Sequence, residues 1–485
     1  MNINPRVKKL FAIDEIAESR VLQVLSAAFL FSFLITFSGW TSDNFTFGEL
    51  SKACMPHLIE ACSEYKQILP LTPLPFGYSQ TIFYVLLFSL ICLGFYYLYH
   101  KKYELVWLAI FILWLYKFYI IFGFGSGNYD YYDLILITIF LFLKDKLYWL
   151  RFFFISLYFL SSTIKIHEGW ILGTYFTSLE TGLPLVGNYL APIATNIVII
   201  SQMFFAWLLL KPKNTLLFRL SFGFFLFFHL YSGILVEYRY LITSIPLLVI
   251  LFLLPETRSQ RIHSRYLPQI LLITLLFLQS VAILIPGDQK LSLEGNKYGL
   301  YMFEANHQCI ANYTIYFKNG LTATDSRQSS DARNRCDPYD YIYNYKRRCD
   351  DAIEKISATF DHSINGNPFY RIVDVSNICL LEYKPFRHNH WIKLESDQPK
   401  LVGYPAKNFY SINISRAGEI QYTANEKMIL PGLEKNSFPG LNSLQEWLYQ
   451  NLSFIEKCYW FIWVLELVGI SYFVFIKKNK KSPSL

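Results

Sequence analysis

Residues Tyr158–Tyr175 read YFLSSTIKIHEGWILGTY. The stretch opens as the outer half of an apolar helix and then sets a lysine, a histidine and a glutamate where such a helix leaves a bilayer. Lys165 follows Tyr158 by seven residues, about two helical turns, so the two side chains face the same way with Ser161 or Ser162 between them. A lysine held in a low-dielectric pocket has its amine form favoured over the ammonium. A neutral amine can serve as a general base or a nucleophile. The bland alternative is that Lys165 snorkels to the headgroups beside Trp170, an interfacial anchor.

The surrounding chain is built for a bilayer. Of its 485 residues, 53% are hydrophobic, 18% aromatic and 16% charged, where soluble chains carry about a quarter charged residues. Ten apolar runs read as candidate membrane-crossing helices. They are Val21–Trp40, Gln80–Tyr99, Glu104–Phe124, Tyr131–Leu143, Tyr148–Ile164, Ala191–Leu210, Leu217–Leu235, Tyr240–Leu254, Gln269–Pro286 and Tyr459–Ile476. About 20 polar residues precede the first run and no small-residue cleavage site follows it, so it reads as a retained span and not as a signal peptide.

Charge fixes an orientation. With Arg6, Lys8 and Lys9 in the cytoplasm, every even-numbered span ends at a cytoplasmic basic cluster. These are Lys101 and Lys102, Lys144 and Lys146, Lys211 and Lys213, the Arg258, Arg261 and Arg265 loop, and Lys477 to Lys481. That distribution follows the positive-inside rule and puts both termini in the cytoplasm. A bacterial inner membrane is expected over the endoplasmic reticulum, a choice that the charges themselves do not make. The formal charge of +8 is then a topology signal. The expected partner is membrane lipid and not nucleic acid.

Two regions fall outside the membrane on this reading, residues 41–79 and residues 287–456. The expected fold is mainly α: a polytopic helical transmembrane bundle over 1–286, an α+β extracytoplasmic domain over 287–456, and a last transmembrane helix with a basic tail over 457–485. Cys309–Phe317 and Tyr370–Tyr383 read as strands, from β-branched and aromatic enrichment near Gly or Asn turns. Asp337–Phe360 reads as more helical. Six of the eight cysteines, Cys54, Cys62, Cys309, Cys336, Cys349 and Cys379, lie on the expected outer side. That suggests disulfides whose pairing stays open. No CxxC spacing argues for a metal, and none is expected.

Other polar groups inside or beside the spans are candidates because charge in hydrocarbon is costly. His229, Gly233 and Glu237 recur every four residues on one face, with Arg239 close behind. They read as a polar stripe lining a cavity, or equally as a hydrogen-bond network that fixes helix packing. The turn before the fourth span brings Tyr129, Asp130 and Asp133 together, and Lys117 in the third span is a partner for one of its aspartates. The many aromatic rings are compatible with a flat ring such as a quinone.

Tyr158-Phe159, Lys165 seven residues after the tyrosine, Trp170 five after the lysine, then Gly173 and Tyr175 resemble the Y-F-x5-K-x4-W-x2-G block of vitamin K-dependent gamma-carboxylases. These belong to the wider horizontally transferred transmembrane domain family. Asn128–Leu134 resembles that family's N-H-x-Y-L segment, with Tyr129 and Asp130 where the family has its histidine. His229-Leu-Tyr-Ser232 resembles its H-x-x-N segment, with serine for asparagine. Tyr301-Met302-Phe303 is similar to its W-x-M-F entry to the outer domain. The resemblance covers roughly residues 10–300. It implies reduced vitamin K, or a menaquinol-like quinol, as cofactor and a glutamate-containing protein as acceptor. Lys165 would deprotonate the quinol, and Tyr158, His167, Trp170, Gly173, Tyr129, Asp130, His229, Glu237 and Arg239 would shape the cofactor site. Two readings of other classes stand beside it. One is a non-catalytic anchor that presents the outer domain to a protein partner. The other is a transporter, against which stands the lack of an inverted repeat or of helices broken by Gly or Pro in matched positions.

Overall fold

A computed structural model of the chain describes residues 3–37, 78–124, 128–178, 182–236, 240–256, 266–301, 305–329, 336–346, 348–349, 351–365, 369–394 and 441–476. A helix falls within or overlaps each of the ten apolar runs: α1 Arg20–Ser32, α2 Tyr78–Tyr99, α3 Tyr103–Phe124, α4 Asn128–Phe142, α5 Lys146–Ser162, α6 Gly187–Ile200, α7 Leu216–Ile234, α8 Tyr240–Phe252, α9 Tyr266–Leu284 and α10 Leu452–Ser471. Among the described residues, five stretches are long and apolar enough to cross a membrane: Lys146–Lys165, Gly187–Leu208, Leu216–Ile234, Tyr266–Leu284 and Leu452–Phe475. The protein is mainly helical, with membrane-spanning character and one small antiparallel sheet.

The chain packs as two compact units that interleave along the sequence. One holds Met1–Leu160, Ser201–Leu276 and Val464–Leu485; the other holds Ser161–Ile200 and Phe277–Trp463. The boundaries read from hydropathy at 286/287 and 456/457 do not coincide with this division. Residues 161–200, read as part of the bundle, pack with the sheet.

Of the five long stretches, the one that begins with α5 is the most buried. Of its apolar window 89% is buried, against 17–44% in the other four long stretches. Trp149 and Phe153 are among the largest fully buried side chains. The other long helices carry exposed Phe, Leu, Ile and Val along their lengths, as a surface facing acyl chains requires. The turn from α4 into α5 is fixed electrostatically. Glu15 accepts from the Asp145 and Lys146 backbone N–H groups at 2.9 and 2.8 Å, satisfying donors at the α5 N-terminus. Lys146 Nζ donates to the Phe11 and Leu143 carbonyls at 2.7 and 2.9 Å. An acid thus sits at a helix start and a cation at a helix end, as the helix dipole favours.

The second unit is built on a four-stranded antiparallel sheet in the order β2-β1-β3-β4: β1 His307–Phe317, β2 Thr322–Ser329, β3 Ile353–Ile364 and β4 Tyr370–Val375. Cys309, Ala311, Tyr313 and Ile315 alternate inward from β1 and meet Ile356, Ala358 and Phe360 of β3. Disulfides Cys309–Cys336 and Cys349–Cys379 brace the sheet against the helix Pro338–Lys346. Cys54 and Cys62 lie outside the described residues. The expectation of helix over Asp337–Phe360 holds only to Lys346. From Ile353 the chain is β3, because Ile356, Ala358 and Phe360 carry a period of two, which a strand buries on one face and a helix cannot. The strand read over Tyr370–Tyr383 ends at Val375. Asn377 then caps the short turn Ile378–Leu380 by accepting from the Cys379 N–H at 3.0 Å.

Candidate functional site

Two polar clusters, one in each unit, contain those candidate residues whose side chains are described. In the first unit, the Tyr158 hydroxyl of α5 hydrogen-bonds His229 Nε2 of α7, and the Tyr158 ring packs on Phe225 at 4.5 Å and against Phe154 at 5.3 Å. Tyr132 of α4 lies within electrostatic range of the Tyr158 phenol. His229 is buried, and its Nδ1 has no hydrogen-bond partner among the described residues. Gly233, one turn on, lets α7 and α8 approach closely. A Cβ there would lie 2.4 Å from Leu241 Cβ.

Beside Tyr132, Asp133 forms a buried ion pair with Lys117 of α3 at 3.5 Å. The Ser32 hydroxyl also donates to Asp133, and Lys117 Nζ lies 5.4 Å from the Phe33 ring centroid. This is the lysine–aspartate pairing expected from the sequence. Tyr129 and Asp130 fall in the first turn of α4, and their side chains lie outside the described residues. Glu237 and Arg239 also lie outside them.

In the second unit, the chain after α5 tightens into a 3-10 turn, Thr163–Lys165, followed by short helices Glu168–Ile171 and Thr174–Thr177. Lys165 is buried at 2% exposure. Its Nζ donates to the Ser161 carbonyl at 3.2 Å and lies 5.3 Å from the Trp170 ring centroid, within cation–π range. His167 is not an open ligand. It is the N-cap of Glu168–Ile171, its Nδ1 accepting from the Gly169 N–H at 3.1 Å. Trp170 stacks on Tyr175 at 5.8 Å and meets Phe176 edge-on at 5.6 Å. Its Nε1 is buried with no partner among the described residues.

The remainder of this turn is held from several sides. Gly173 has φ +68°, and a Cβ there would come 2.8 Å from Pro192 N, so the close approach to α6 requires glycine. The Ile171 and Leu172 carbonyls accept from Asn196 and Gln445 side chains at 2.8 Å each, satisfying groups that a short helix leaves open. Gln279 of α9 donates to Thr163 Oγ1 and accepts from the Leu300 N–H, both at 2.8 Å. Asn306 and Asn365, at the facing ends of β1 and β3, bond to each other and tie Ser178 to the sheet.

Some of these supports escape a sequence reading. Arg151 precedes Tyr158 by seven residues, about two turns of α5, and that spacing could have placed it on the Tyr158 face. Arg151 Nε donates to the Leu251 carbonyl at 2.7 Å. Gln279, Asn306 and Asn365 carry no local signal. Among the described residues, no group of three or more His, Cys, Asp or Glu is placed to hold a metal ion. Comparison with protein families, with curated proteins and with solved structures gives no match for this chain.

Proposed function

We propose that the chain is a multi-pass membrane protein of about ten spans, of the horizontally transferred transmembrane type, working as a carboxylase-like enzyme in which Lys165 is the base. Both termini lie in the cytoplasm of a bacterial inner membrane. The basic clusters after each even-numbered helix support this orientation, as do two disulfides in the region it places outside, on the oxidising side.

The observation that carries the enzymatic reading is the setting of Lys165. A lysine that snorkelled would keep its ammonium in water or among headgroups. Lys165 is buried instead, its amine against the Ser161 carbonyl and the face of Trp170. One group beside it suits a ligand that carries oxygens. Trp170 stacks on Tyr175, and the Trp170 indole N–H is a buried donor without a partner among the described residues. A reduced quinol of the vitamin K type, when bound, supplies the reducing equivalents for an oxygen-dependent step. Lys165 accepts a hydroxyl proton, Trp170 orients the ring, and the His167 cap together with Gly173 holds the lysine's turn in place. The acceptor is a glutamate-containing protein.

The test is incorporation of labelled bicarbonate into a glutamate-rich peptide by membranes given reduced vitamin K. Removing a general base costs about 10²–10⁴-fold in rate, and that is the loss expected for Lys165→Ala at equal expression. Incorporation by the variant at the wild-type rate would remove Lys165 from the chemistry. A wild-type protein without incorporation would turn the reading to an anchor for the disulfide-braced sheet.

A further inference from the structure

A loop of the sheet unit carries an exposed aromatic ring that neither polar cluster uses. Residues 384–390 read KPFRHNH. Phe386 is 51% exposed, yet its ring centroid lies 5.7 Å from that of Tyr298 and 6.1 Å from that of Phe277. Phe277 belongs to α9, within the stretch Tyr266–Leu284 that is long and apolar enough to cross a membrane. It is itself 54% exposed. The stretch has 19 residues, about 28 Å of helix, which a hydrocarbon core about 30 Å thick takes up whole. Phe277 stands seven residues before Leu284, about 10 Å from that end. The two exposed rings therefore meet at the depth of acyl chains, and Phe386 extends the apolar surface of α9.

The loop satisfies its own backbone, as that depth requires. Asn389 Oδ1 accepts from the Lys384 N–H at 2.7 Å, and Asn389 Nδ2 donates to the Lys384 and Arg387 carbonyls at 3.1 Å each. Buried Glu294 holds the turn from beneath, accepting from the Asn389 N–H at 2.7 Å and from His388 Nδ1 at 2.9 Å. Beyond the loop, Ile392 pairs with Val373 of β4. Phe386 is thus set against α9 by a fixed turn. The charges around the ring differ in what they meet. Lys384 pairs with Glu382 at 3.2 Å, and Glu294 is taken up by His388 and Asn389. Arg387 is exposed, and among the described residues no ion pair engages it. An arginine stem can lie along apolar surface while its head reaches the headgroup layer, where the guanidinium fork matches phosphate oxygens.

We propose that the loop Lys384–His390 is a membrane-interface anchor with a lipid site, in which Phe386 sits among acyl chains beside Phe277 and Arg387 binds the phosphate of an acidic phospholipid. An apolar wedge and a basic headgroup contact are the two parts of interfacial binding, and here they are adjacent residues. The anchor holds the sheet unit at the bilayer surface. This assignment does not depend on the role of Lys165.

The experiment uses the full-length protein with photoreactive p-benzoylphenylalanine at position 386, in nanodiscs of equal phosphatidylglycerol and phosphatidylcholine. After illumination, peptide mass mapping identifies the lipid attached at that position. Acyl-chain adducts are expected, with phosphatidylglycerol favoured about fivefold, the effect of one basic residue worth about 1 kcal/mol near an anionic surface. Arg387→Gln, checked for unchanged thermal unfolding, should keep the adducts and bring the two lipids to near parity. Absence of lipid adducts would overturn the anchor. Equal adducts with both lipids before the arginine is changed would overturn the headgroup site, as would a preference that survives in Arg387→Gln. Inorganic phosphate that abolishes the preference, where chloride of the same ionic strength does not, would assign Arg387 to a free anion and overturn the lipid assignment.

Discussion

At the scale of single residues, Asp133 shows most plainly what a charge does in this protein. It sits with Lys117 in a pair whose side chains are 2% and 0% exposed, and it also accepts from Ser32. Removing one member of such a pair leaves an uncompensated buried charge, at a cost of about 3–5 kcal/mol, whereas replacing both members by apolar groups is often neutral. Asp133→Asn should therefore lower the thermal unfolding midpoint in detergent clearly, and Lys117→Met with Asp133→Leu should recover most of it. An unchanged midpoint in the single variant would mean that the pair is not what holds α3 to α4. The pair was legible in the sequence because two opposite charges in apolar runs have few ways to be satisfied. Lys165 was legible for the same reason, as a cation at the end of an apolar run. The partners that support its turn were not. Gln279, Asn306 and Asn365 lie far along the chain, and a single amide residue leaves no periodic trace.

At the scale of elements, the turn after α5 is defined by how tightly it changes direction. Gly173 takes a left-handed backbone, which a residue with a Cβ adopts at a cost of about 1–2 kcal/mol. In Gly173→Ala the new methyl would also press on Pro192 N and the Ala191 carbonyl carbon at 2.8 and 2.9 Å. The variant should unfold at a lower temperature and lose more activity than its stability loss explains, because the same turn carries Lys165. Wild-type stability and activity in Gly173→Ala would show that the turn tolerates a shift. Helices were readable from long apolar runs. The sheet was read only in part, since Ile353–Ile364 alternates Ile, Ala and Phe with polar residues next to a genuine helix. The two short helices after Lys165 are four residues each, too brief for any period to declare itself.

At the scale of the whole molecule, the interleaving of the two units is what hydropathy does not reveal. An apolar run announces a helix, but not which other segments it packs with, and residues 161–200 join the sheet unit through side-chain bonds from Asn306, Gln445 and Tyr459. The topology follows from charge, so it can be checked without reference to packing. A reporter fused after Leu485 should be active only in the cytoplasm, and an outward-facing reporter would mean that a span has been miscounted. The central claim is narrower, that Lys165 takes the first proton, and it is best tested with no peptide acceptor present. Oxygen-dependent conversion of reduced vitamin K to its epoxide would be followed on purified protein, wild type against Lys165→Ala. Conversion by the wild type that falls by about 10²–10⁴-fold in the variant, the range for loss of a general base, is the predicted result. Equal conversion by both proteins, or none by the wild type, would contradict it.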